Sequence, residues 1–92
     1  ISLSDISRHC GVSEVYFSRV FKDAMGLPFT KYLNTYRVRI ASHLLLQSND
    51  SLKKIAEKSG FQSYNYFLTV FKNYMGVTPV QYREKTMDTP AD

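Results

Sequence analysis

Two short stretches of this chain carry side chains suited to reading the edges of another molecule. YFSRVFKDAMG at 16–26 and YFLTVFKNYMG at 66–76 share an apolar face and differ on the other one. With the residue just before each copy included, the differing face holds Val15, Ser18, Arg19 and Lys22 in the first helix, and Asn65, Leu68, Thr69 and Lys72 in the second. Arg19 has the planar fork that could bond the two acceptors of guanine, and Asn65 could bond adenine in the same bidentate way. Val15 and Leu68 could meet thymine methyl groups. Only the lysine is common to both faces. A shared cation suits phosphate, which is the same at every site, whereas residues that differ suit base edges, because two grooves present two sequences. Unconstrained surface positions also drift apart, and the residues alone leave that reading open.

Other constellations carry less. His9 and Cys10 are adjacent on a helix, so they face different ways, and no further ligands cluster with them. Cys10 corresponds to Ser59, a small residue where helix meets turn, and a packing role is expected. His43 has no carboxylate or serine at a catalytic spacing, and no glycine-rich phosphate loop is present. The residues offer no enzyme and no cofactor site. Seven tyrosines among basic residues could suit single-stranded nucleic acid, but Tyr32, Tyr36 and Tyr82 fall on helix stripes, which favours packing. Lys53, Lys54 and Lys58 make a basic face that reads as solvated surface.

The chain that must position these groups is 92 residues long with a formal charge of +4. All 12 bases lie in residues 1–85 with only 6 of the 8 acids, so that part stands at +6. Such a balance points weakly toward nucleic acid, and on charge alone an ordinary soluble surface explains it equally well. A single cysteine fits a reducing compartment. No apolar run approaches the ~20 residues of a membrane span, and the start at Ile1 suggests a fragment of a longer protein.

Helical period dominates. Ser2 and Asp5 open a helix over about 3–10, closed by Gly11. Ser13 caps a second, with Phe17, Val20, Phe21, Ala24 and Met25 as its core face and Gly26 as its stop. Pro28 opens a long helix over about 28–47, striped by Phe29, Tyr32, Leu33, Tyr36, Ile40, Leu44 and Leu45. After SNDS the pattern restarts. Leu52, Ile55, Ser59 and Gly60 stand 49 residues after Leu3, Ile6, Cys10 and Gly11; from Tyr66 to Tyr82 the offset is 50. Thr78-Pro79 opens a last short helix. The expected fold is all-α, two helix-turn-helix subdomains joined by a long linker helix. Its parts are a first lobe at 1–27, the linker at 28–47, a second lobe at 48–85 and a flexible tail at 86–92. A rod of roughly 20 residues is about 30 Å long, close to the 34–36 Å between successive major-groove faces.

GFQSYNYFLTVFKNYMGVTPVQYR at 60–83 resembles the second helix-turn-helix of the AraC/XylS family of bacterial transcription regulators. That family's pattern is GF-(few)-YF-x3-FK-x3-G-x-TP-x2-YR. Arg37, Ala41, Leu44 and Leu45 are similar to its linker-helix motif, and Ile55 and Ala56 to the IA before its second turn. The resemblance covers about 1–85 and implies seven helices in two lobes that bind adjacent major grooves as one chain. It further implies base reading by Val15, Ser18 and Arg19 in the first lobe and by Tyr64, Asn65, Leu68 and Thr69 in the second. Contacts to the DNA backbone would fall to Ser13, Lys22, Ser63, Lys72 and Arg83. Double-stranded promoter DNA is the implied partner, in the bacterial cytoplasm, with RNA polymerase a further one. An N-terminal effector, dimerisation or receiver domain is expected in the whole protein. Leu68 and Thr69 stand where members of the family often carry larger polar or basic groups. A helical protein-interaction module is the competing class, and binding of random duplex at low salt separates the two.

Overall fold

A computed structural model describes residues 2–87, and the last residues of the expected tail, 88–92, lie outside them. Six helices are present among the described residues: α1 Leu3–Cys10, α2 Glu14–Met25, α3 Phe29–Gln47, α4 Leu52–Lys58, α5 Tyr64–Met75 and α6 Pro79–Met87. They are the six that the residues themselves mark; the seventh rested on the resemblance alone. Positions 86 and 87, expected in the tail, belong to α6.

Serine starts four of these helices. Ser2, Ser13, Ser51 and Ser63 are extended residues whose side chains accept from the backbone N–H three positions on, at 3.1–3.2 Å, satisfying donors that an uncapped helix would leave unpaired. α6 starts differently. The Gln81 N–H donates to Thr78 Oγ1 at 3.1 Å while the Thr78 N–H donates to Gln81 Oε1 at 3.0 Å. This is a reciprocal capping box.

The chain divides into two compact units, Ile1–Asn34 and Thr35–Asp92, with the boundary inside α3. The long helix is therefore shared between two cores. In the first unit α1 packs on α2, and Phe17, Phe21, Phe29 and Tyr32 form an aromatic cluster with ring centroids 5.1–6.0 Å apart. Phe29 is buried there, at 7% exposure. In the second unit α4 and α6 pack on α5. Val38, Ala41, Leu45, Ile55, Ala56, Phe61, Phe67, Val70 and Phe71 close a continuous core.

Several expected core positions are not core. Val20 is 46% exposed and Met25 50%, while Val70, the counterpart of Val20, is 5% exposed. The extra layer explains the contrast. The α1–α2–α3 start and the α4–α5–α6 run are equivalent, but the second unit also contains α3 from Thr35 onward, which supplies Val38, Ala41 and Leu45 to its core. Met75 is 38% exposed and Tyr36 57%. Cys10, expected to pack, is exposed, while its counterpart Ser59 is buried.

Candidate nucleic-acid interface

In each unit a short helix, a glycine-containing turn and a longer helix follow one another. The turn in the second unit is braced from α3. Gly60 has φ +92°, and a Cβ there would stand 3.4 Å from Arg37 Nε. The same guanidinium lies 5.8 Å from the centroid of Phe61, a cation–π distance. Gly11, at the equivalent turn, has φ +71° and open space where a Cβ would go. Sequence reading matched Arg37 to the linker motif without seeing this contact, because nothing in the spacing says that a residue of α3 reaches a turn 23 positions on.

The differing faces of α2 and α5 have unlike exposure. On α2, Val15 is 71% exposed, Arg19 is exposed and Ser18 is half-buried. On α5, Asn65 and Thr69 are exposed. Tyr64 and Leu68 are half-buried and pack against the core. The side chains of Arg19 and Asn65 form no hydrogen bond among the described residues, so their donors are available. Thr69 is different: its Oγ1 donates to the Asn65 carbonyl at 3.1 Å.

The residues expected against a DNA backbone separate into two groups. Ser13 and Ser63 sit exposed at the starts of α2 and α5. Each hydroxyl accepts a capping bond and keeps its own proton to donate. Lys22 and Lys72 are exposed in the last turns of the same helices, with no ion pair among the described residues. Arg83 is corrected. Its Nε donates to the Leu45 carbonyl at 3.1 Å, one terminal nitrogen to Asp50 O at 3.0 Å and the other to Ser48 O at 3.2 Å. All three guanidinium nitrogens serve the end of α3 and the loop after it, where helix carbonyls lack partners. Arg83 is half-buried and holds the fold. Beside it Lys58 Nζ meets Asp50 Oδ2 at 2.7 Å, and this bond lowers the Asp50 carboxyl below its ordinary value.

Two serine-capped helices with exposed polar faces, each preceded by a shorter helix and a glycine turn, define a protein with two helix-turn-helix motifs. The comparisons with known proteins agree. A family model described as "Helix-turn-helix domain" matches residues 6–85. The regulatory protein PocR of Salmonella typhimurium is 36% identical over 85 residues, covering 92% of this chain and 28% of that protein. The chain thus spans under a third of this relative's length. The C-terminal domain of the two-component response regulator yesN from Fusobacterium nucleatum superposes with a TM-score of 0.84 at 42% identity, over 90% of this chain and 81% of that one. The DNA-binding domain of AdpA, a global transcriptional factor solved in complex with a target DNA, superposes at 0.81 with 27% identity, over 92% and 77%. This chain belongs to the AraC-type helix-turn-helix family of DNA-binding transcription regulators.

Proposed function

We propose that this chain reads specific sequences in double-stranded promoter DNA, with α2 and α5 as recognition helices in adjacent major grooves. The single observation that carries the reading is the pair of exposed, unpaired side chains at equivalent faces, Arg19 on α2 and Asn65 on α5. Each has the geometry of a bidentate base contact. Lys22, Lys72, Ser13 and Ser63 flank them as contacts to phosphate, and α3, continuous from Phe29 to Gln47, contributes to both units. Affinity then rests largely on phosphate and falls steeply with salt. In the whole protein a further domain N-terminal to this one supplies the signal, in the cytoplasm, and RNA polymerase is a second partner.

Selection of bound duplexes from a random pool tests the reading. It should return two half-sites about one helical turn apart. Arg19→Ala should cost about 1–3 kcal/mol at one guanine and relax preference there alone. An unchanged ratio of selected to scrambled DNA would remove Arg19 from the base-reading set.

A further inference from the structure

α5 offers a duplex less reading surface than its sequence suggests. Of its four candidates, Tyr64 has its ring 6.3 Å from that of Phe67, and Leu68 packs against the buried cluster. Asn65 and Thr69 remain as the exposed pair, four residues apart on one face. Thr69 Oγ1 donates to the Asn65 carbonyl. A threonine hydroxyl has one proton, so this bond leaves the side chain no donor for a base edge. It also selects the χ1 rotamer and holds the γ-methyl in one place.

What α5 presents is thus an amide fork and, one turn along, a fixed methyl. The fork matches the N6 and N7 groups of adenine, and the methyl matches the C5-methyl of thymine. Both belong to A·T pairs. Their separation along the helix, about 6 Å, corresponds to one or two base-pair steps. We propose that the second unit reads an A·T step, with Asn65 on adenine and the Thr69 methyl on a thymine methyl. Guanine discrimination then belongs to Arg19 in the first unit. The assignment rests on the duplex-binding reading above and deepens it, giving each helix its own class of base.

Deoxyuridine tests it, because it removes only the methyl of thymine. The 92-residue chain first selects its duplex, and Asn65→Ala marks the second unit's half-site as the one whose adenine preference disappears. Each thymine in that half-site is then replaced in turn. At one of them the wild type should weaken roughly fourfold, the worth of one buried methyl. Thr69→Val keeps the methyl and should keep the thymine-over-uracil ratio. Thr69→Ser keeps the hydroxyl and should bring the ratio to one. Circular dichroism confirms that both variants fold. A half-site without A·T pairs, wild-type indifference to uracil at every thymine, or a ratio kept by Thr69→Ser and lost by Thr69→Val would each overturn the assignment while duplex binding stands. No binding of any duplex at low salt would overturn both it and the duplex reading.

Discussion

Lys22 and Lys72 occupy equivalent places, exposed in the last turns of α2 and α5. The likeness of the two is itself the argument for phosphate, since a charge that reads no base gains nothing from differing between copies. Lys72→Ala should therefore weaken selected and scrambled duplexes by the same factor. The slope of log affinity against log salt should fall by about 1, measured by titrations at several salt concentrations. A change confined to one sequence would place Lys72 on a base instead. Charge in a sequence has no direction, and this limited what could be read at the residue scale. Arg37 lies over a phenylalanine ring, Arg83 donates to three carbonyls and Lys58 is paired with Asp50. Residue type alone does not separate these cations from Lys72; what surrounds each of them in the fold does.

Helix boundaries were almost wholly legible, because serine caps and glycine stops are local chemistry. α1 runs from Leu3 to Cys10 as its pattern predicts, and α3 begins one residue after Pro28. Contacts between elements were not legible. Arg83 ties α6 to the carbonyl of Leu45 in the last turn of α3 and to those of Ser48 and Asp50 in the loop before α4. A lysine offers a point charge where this site needs a rigid fork. Arg83→Ala leaves three partly buried carbonyls without their donor and should destabilise the chain by about 1–3 kcal/mol. Arg83→Lys should recover only part of that in thermal melts. For either variant that stays folded at the assay temperature, the salt slope of DNA binding should not change. A slope lowered by about 1 with an unaltered melt would return Arg83 to the phosphate contacts.

For the molecule as a whole, one sequence repeat yields two units of unequal solidity. The shared apolar positions predict the same core twice, and at the level of residue types they are the same. Burial depends on what covers them, which periodicity does not contain. In the second unit Phe67 and Phe71 are at 0% exposure under the added layer of α3. In the first, α2 has no buried residue, and Phe17 and Phe21 remain half-buried. Fully burying a side chain of this size contributes about 1.5–3 kcal/mol, so leaving Val20 half-exposed forgoes on the order of 1 kcal/mol. Local opening follows local burial. Amide hydrogen exchange on the free chain should accordingly show α2 opening roughly tenfold more often than α5. Duplex DNA should slow exchange in α2 by a larger factor than in α5, since a ligand can add most protection where the free protein has least. The exposed face of α2 proposed to read bases would then be ordered in part by duplex DNA. Equal protection of the two helices in the free chain would show instead that the aromatic cluster of Phe17, Phe21, Phe29 and Tyr32 is sufficient by itself to hold the first unit closed.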